Sequence, residues 1–178
     1  MAAATARTPF VDRMLRAARF DIAVYEELEH DTTATWQAAA VVVLGAIAAG
    51  IANGARLGFL SLGAVSLLAL ASWTTYAWLA YFFGVTVFKY AKTPTEWAEI
   101  ARTLGFANAP RIALVLAAIP GLAVIAPLVT LWVLATTVVA LRAALDCTTG
   151  RAVVIAVIAS IAQWILTAVV LALEGAGG

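Results

Sequence analysis

The stretch Thr103-Leu104-Gly105-Phe106-Ala107-Asn108-Ala109-Pro110-Arg111 stands where the longest polar loop of the chain returns to apolar sequence. Two long apolar runs precede it, and a proline-broken run and a final apolar run follow. Gly105 is expected to stop a short helix, because glycine takes the left-handed conformation that helix ends often need. Asn108 is expected to cap the next helix. Pro110 then falls in that helix's first turn, where a missing N–H costs nothing. Gly105 and Pro110 therefore read as a hinge from an interfacial helix into a membrane span.

The flanking sequence explains why a membrane is invoked. The chain has 178 residues, 64% hydrophobic and 12% charged, with mean hydropathy +0.99. Leu57 to Phe88 and Ile112 to Leu141 carry no charged residue. Each run exceeds the ~20 apolar residues that cross a bilayer as a helix, and neither shows the polar face of a soluble core helix. The fold class expected is all-α, a polytopic helical integral membrane protein with short interfacial helices.

Upstream, residues 1–33 form a cytoplasmic amphipathic segment. A helix is expected from Pro9 to His30, with Phe10, Met14, Ala18, Ile22 and Tyr25 on one stripe. Its arginines, Arg13, Arg16 and Arg19, can face anionic headgroups, or the helix can pack on the protein's own cytoplasmic face. The first span covers 34–52. In it Gly50-x-x-x-Gly54 is a small-residue pair that lets another helix's backbone come close, so Gly50 and Gly54 are candidate helix-packing residues. The second span, within 59–88, is the aromatic one. It reads either as one tilted helix or as a ~25-residue helix with irregular ends. Trp73, Tyr76 and Tyr81 could line a pocket there, though packing or lipid contact explains them more simply. In the loop that follows, Thr93-Pro94-Thr95-Glu96 reads as a capping box opening a short surface helix.

Downstream, Pro120-Gly121 and Pro127 interrupt the thirty uncharged residues from Ile112 to Leu141. A turn between 120 and 127 gives spans at 109–125 and 127–145; a single kinked span or a re-entrant pair is the competitor. The last span is 152–173, with 174–178 as a tail. Charge placement favours five spans. Ten of the eleven Lys and Arg residues then share the N-terminal side, leaving Arg56 alone opposite, whereas four spans divide them eight to three. Arg111, Arg142 and Arg151 are read as interfacial anchors. The N-terminus is placed in the cytoplasm and the C-terminus outside.

The residues that carry chemistry are few. One histidine, His30, and one cysteine, Cys147, cannot build a His/Cys metal site or an internal disulfide. No phosphate-cradling glycine loop is present, so no catalytic residue, metal or cofactor is expected and the chain does not read as an enzyme. The net charge of +1, without a dense basic cluster, gives no reason to expect nucleic acid as a partner. Gln163, in the last span, is read as a helix-packing contact. Nine Arg against two Lys, with many alanines, suggest a bacterial GC-rich genome.

At Arg102-Thr103-Leu104-Gly105-Phe106-Ala107-Asn108-Ala109-Pro110, then Leu141-Arg142-Ala143-Ala144-Leu145-Asp146 and Gly150-Arg151-Ala152, the sequence resembles the YIP domain family (Ypt/Rab-interacting proteins). The resemblance spans 34–173 and implies five spans. It points to the bacterial branch of the family, and so to a bacterial cytoplasmic (inner) membrane. The Asp-Leu-Tyr-Gly-Pro type motif of members that contact Rab GTPases is missing, so a Rab-type GTPase is not an expected partner. Two functions follow. One is a non-enzymatic scaffold or accessory subunit that packs with itself or another membrane protein within the lipid bilayer. The other is a small-molecule or lipid permease with a cavity lined by the second span and the broken 112–141 region.

Overall fold

The helix that ends in the Gly105 stretch lies at the centre of the molecule. The computed structural model describes residues 9–52, 59–91 and 94–176, and every regular element among them is helical. In chain order these are α1 (Phe10–Ala18), α2 (Ile22–His30), α3 (Ala34–Ala52) and α4 (Phe59–Tyr81), which continues into a π-helical turn (Phe82–Val87). Then come α5 (Trp97–Ala107), a 3-10 helix (Ala109–Ala118), α6 (Ile125–Ala144) and α7 (Thr149–Ala176). Four helical stretches are long and apolar enough to cross a membrane: Ala34–Ala52, Gly63–Val87, Ile125–Ala144 and Thr149–Val170. This is the build of a polytopic helical membrane protein.

α5 was expected on the membrane surface, but every residue from Ile100 to Ala107 is buried. The cause is packing from both sides. α3, α4 and α6 of the bundle pack against it, and so do α1 and α2, which form a roof over it. Its one buried charge, Arg102, is 4% exposed and donates to the carbonyl oxygens of Leu28 and Glu29. Those carbonyls belong to the last turn of α2, where helix oxygens lack partners and the helix dipole favours a cation. Trp73 of α4 also donates its indole N–H to the Ala101 oxygen at 2.9 Å.

Three local expectations change at this helix. Gly105 does not stop it: the helix runs on to Ala107, and among the described glycines only Gly121 has positive φ, at 86°. Asn108 makes no side-chain cap to the following helix; its amide donates back to the Leu104 oxygen at 2.9 Å. The capping residue of α5 is Glu96, whose backbone N–H donates to the Glu99 carboxylate at 2.8 Å. Thr93, the expected cap, lies outside the described residues, while Thr95 is buried and donates to the Ala144 oxygen at 3.2 Å.

The N-terminal segment is two helices rather than one. Phe20 adopts φ 64°, a left-handed conformation that ends α1, and the Asp21 carboxylate caps α2 by accepting from the Ala23 N–H at 3.0 Å. Of the expected apolar stripe, Tyr25 is fully buried and Phe10 meets Phe106 edge-on, while Ile22 is exposed. Arg13 turns inward, 3% exposed. It reaches Glu27 at 2.7 Å, Asp31 at 2.8 Å and Gln37 at 3.1 Å. Burial works against its charge, and the hydrogen bonds to Glu27 and Asp31 outweigh it, holding the guanidinium pKa above its ordinary value. Arg16 pairs with Asp21 and Glu27. Two of the three arginines thus bind the roof together, as the reading of a helix packed on its own protein requires.

The proline-broken region splits as its Pro-Gly pair suggests. The chain turns through 119–124, with Gly121 at positive φ, and Pro127 falls in the first turn of α6. The half before the turn is where the five-span expectation meets a shorter element. Residues 109–118 form a 3-10 helix of ten residues, not an α-helix of spanning length. Contacts give its direction. Gly105 faces Ala38 and Arg111 faces Gly45, so the 3-10 helix runs parallel to α3. α6 then returns, with Thr136 bonded to the Ala107 oxygen and the Ala144 oxygen beside Thr95. α4 and α7 run antiparallel, as Tyr76 to Ala156 and Gln163 to Ser72 require.

Candidate functional site

Between α3, α4, α6 and α7, below α5, the helices leave a chamber of about 540 Å³. It exists because small residues line much of one wall: Ala46, Ala49 and Gly50 on α3 and Ala69 on α4. Larger apolar side chains, Val42, Val65, Leu68, Val133 and Leu134, complete the greasy surface. Its volume falls within the ~300–1,000 Å³ of small-molecule sites, which also pair apolar walls with a few placed polar groups.

Those polar groups come from several elements. Ser72, Trp73 and Tyr76 project from α4, Thr137 from α6, and Ser160 and Gln163 from α7; Asn108 and Arg111 flank the entry to the 3-10 helix. Most are occupied. The Trp73 indole is bonded to α5, the Tyr76 hydroxyl donates to the Ala156 oxygen at 3.2 Å, and the Asn108 amide to Leu104. Gln163 donates from Nε2 to the Ser72 hydroxyl at 3.3 Å, but its buried Oε1 has no hydrogen-bond partner among the described residues. Arg111 is the only charged residue lining the chamber among the described residues. Its stem lies over Gly45, where an added Cβ would meet Arg111 Cβ at 3.1 Å and Cδ at 3.3 Å.

The sequence-chosen residues scatter. Gly50 lines the chamber, while Gly54 lies outside the described residues, so the Gly50–Gly54 pair cannot be followed as a packing face. Close helix approach falls instead at Gly105, whose added Cβ would sit 2.5 Å from Ala38 Cβ. Pro110 is buried in the first turn of the 3-10 helix. Arg111 is the third residue of the 3-10 helix and stands beside Gly45, the twelfth of the nineteen residues of α3. Arg142 and Arg151 are exposed near the α6–α7 turn, and the Arg151 guanidinium lies 4.9 Å from the centre of the Tyr90 ring, a cation–π stack. Of the three aromatic candidates, Trp73 and Tyr76 line the chamber; Tyr81 packs against the core instead.

Sequence reading offered a cavity lined by the second span and the 112–141 region only as an alternative, without the α3 and α7 walls, and it missed the burial of Arg102. A lone arginine in a short helix carries no sign of the carbonyls it will meet some 70 residues earlier in the chain. Gln163 was visible as the most polar residue of the last span. Among the described residues, no group of three or more His, Cys, Asp or Glu side chains could hold a metal ion. Compared with protein-family models, curated proteins and solved structures, the chain finds no match in any of the three.

Proposed function

We propose that this chain is a non-enzymatic membrane subunit, a scaffold or accessory component that packs with a second copy or with another membrane protein. The observation that supports this reading is the roof. α1 and α2 are tied to the bundle through Arg13 and Arg102, and Trp132 of α6 donates to the Ala18 oxygen at 2.7 Å. Such a polar layer presents a fixed face to a partner while the apolar perimeter meets lipid. Val153, Val157, Ile161, Trp164 and Ile165 of α7 belong to that perimeter. The reading includes a bacterial inner-membrane location with the N-terminus cytoplasmic. It also includes kinship with the YIP domain family, for which the Gly105-Phe106-Ala107…Pro110 and Leu141-Arg142…Gly150-Arg151-Ala152 segments are the support.

Purification of the tagged chain in a mild detergent tests it. A stoichiometric protein partner, or a defined oligomer of the chain itself, is the expected result. A monomer that brings no protein with it would overturn the subunit reading. The chamber favours a second reading, a permease for a small molecule or lipid, because it is lined by α4 and, in the broken 112–141 region, by Val133, Leu134 and Thr137. Broken helices at a substrate site are a recurrent transporter device. Accumulation of a substrate in vesicles carrying the purified chain would select that alternative.

A further inference from the structure

We propose that the chamber binds one acidic membrane lipid with a hydroxyl-bearing headgroup, its anionic group on Arg111 and a hydroxyl donated to Gln163 Oε1. This site stands whether the chain serves as a subunit or moves a substrate, since it rests on the chamber alone.

Arg111 carries the first half of the argument. Four other arginines have visible occupations: Arg13 and Arg16 are paired with carboxylates, Arg102 with carbonyls, and Arg151 with the Tyr90 ring. The Arg111 guanidinium has no hydrogen bond or ion pair among the described residues. A charge beside the middle of an apolar helix is costly, and such charges are kept for a pathway, a partner or a ligand. Gly45 makes room for the stem, since any side chain there would press on Arg111 Cβ, Cγ and Cδ. The stem is thus held against α3 by a glycine that fits it, while the residue as a whole is exposed, which leaves its guanidinium accessible to a ligand.

Gln163 supplies the second half. Donation from Nε2 to Ser72 turns the amide so that Oε1 is the atom left over, buried and unbonded. An unmet buried acceptor is costly, and only a donor relieves it. A fully ionised anion offers none. A ligand that satisfies both residues therefore carries a negative group and a hydroxyl, and the apolar walls between them suit an acyl chain. In a bilayer, an acidic glycerolipid whose headgroup bears free hydroxyls meets all three conditions.

The test uses the full chain in a maltoside micelle, titrated with phosphatidylglycerol, phosphatidate or phosphatidylcholine of matched acyl chains and read by native mass spectrometry. Wild type should take up one phosphatidylglycerol in preference to phosphatidylcholine. Arg111→Gln should weaken phosphatidylglycerol roughly ten- to a hundredfold, the size of one charge-assisted contact, and Arg111→Lys should recover part of it. Gln163→Leu should weaken phosphatidylglycerol but leave phosphatidate unchanged. Ala69→Phe, which fills the chamber without touching a charge, should abolish uptake of both, and Arg151→Gln should change nothing. Equal uptake of phosphatidylglycerol and phosphatidylcholine overturns the proposal. So does displacement of the lipid by inorganic phosphate alone, which would make this a site for a free anion. Unaltered uptake by both Arg111→Gln and Ala69→Phe would place the lipid elsewhere on the protein.

Discussion

Gly105 and Ala38 bring α5 and α3 into backbone contact: a Cβ on Gly105 would lie 2.5 Å from Ala38 Cβ and 3.0 Å from Ala38 Cα. Neither obstacle is the mobile end of a side chain, so accommodating a methyl there means moving a helix. Gly105→Ala should therefore destabilise the fold by about 1–3 kcal/mol, the usual cost of overpacking a core. Ala38→Gly gives the methyl back its space, so the double variant should melt closer to wild type than Gly105→Ala alone. Thermal melts of the four proteins of this cycle in one detergent measure the coupling. Additive effects would mean that the two residues do not press on each other.

The roof makes a second prediction. Arg13 is held by Glu27, Asp31 and Gln37, and removing it takes the only ion-pair partner from Asp31 among the described residues and leaves Glu27 paired with Arg16. Breaking a buried ion pair on one side costs about 3–5 kcal/mol, though the partial exposure of Glu27 and Asp31 argues for the lower end here. Arg13→Ala should thus detach α1, read as faster proteolysis between residues 10 and 30. Arg13→Lys should rescue only in part, because an ammonium cannot reproduce the guanidinium fork. Arg19→Ala, at an exposed arginine of the same segment, is the control.

What the sequence revealed and what it hid divide along one physical line. Features set by local chain chemistry were legible. The aromatic run gave a second span of 25 residues, Gly63–Val87, and Pro120-Gly121 marked a real turn with Gly121 at positive φ. Features set by distant partners were not. A glycine near a helix end looks the same whether it stops the helix or admits a neighbour, and at Gly105 the neighbour is 67 residues earlier. The two charges of Trp97–Ala107, Glu99 and Arg102, imitate with the capping Glu96 an amphipathic surface helix, because nothing near them announces the roof that buries Arg102. The break at Phe20 was invisible for another reason: an aromatic residue at φ 64° is a conformation that tertiary packing imposes, not one that a side chain favours. The chamber likewise arises from six separated segments, of which the sequence suggested the aromatic second span, through Trp73 and Tyr76, and the 112–141 region.

Acid–base behaviour of the roof follows from Glu29. Burial, reinforced by the charge of Glu99, pushes its carboxyl up to about 7 from an ordinary 4.5, against the opposing pull of His30. Between those values the folded protein holds a proton that the unfolded chain releases, so this group's contribution falls as pH rises through the window. Asp21 and Asp31 act in the opposite sense. Hydrogen bonds from Arg16 and Thr33 respectively hold them below the usual carboxylate range, so their contribution is present above about pH 4 and lost in stronger acid. Glu29→Gln should therefore match wild type in melting temperature near pH 4.5 and exceed it at pH 8. A difference that does not change with pH would remove Glu29 from this account.

The third leg of the bundle decides the topology. The 3-10 helix has ten residues and at about 2.0 Å each reaches ~20 Å, short of the ~30 Å hydrocarbon core. Two features reduce the shortfall. Gly105 lies beside Ala38, the fifth residue of α3, so the leg begins about one helical turn into the bundle. The turn through 119–124 then adds length before α6 starts back. Extended 3-10 geometry is itself the device that lets ten residues cover the distance of some thirteen in an α-helix. A crossing made this way places Lys89, Arg102, Arg142 and Arg151 on the side of α1 and α2, as the positive-inside bias favours. Reporter fusions after Lys92 and at Gly178 should then report opposite sides of the membrane. If both report the cytoplasm, the 3-10 helix enters and leaves by the same face and the chain crosses four times. Deleting one turn of that helix, Ile112 to Leu114, should in the five-crossing case lower the yield of folded protein sharply, because no slack remains for the leg to span.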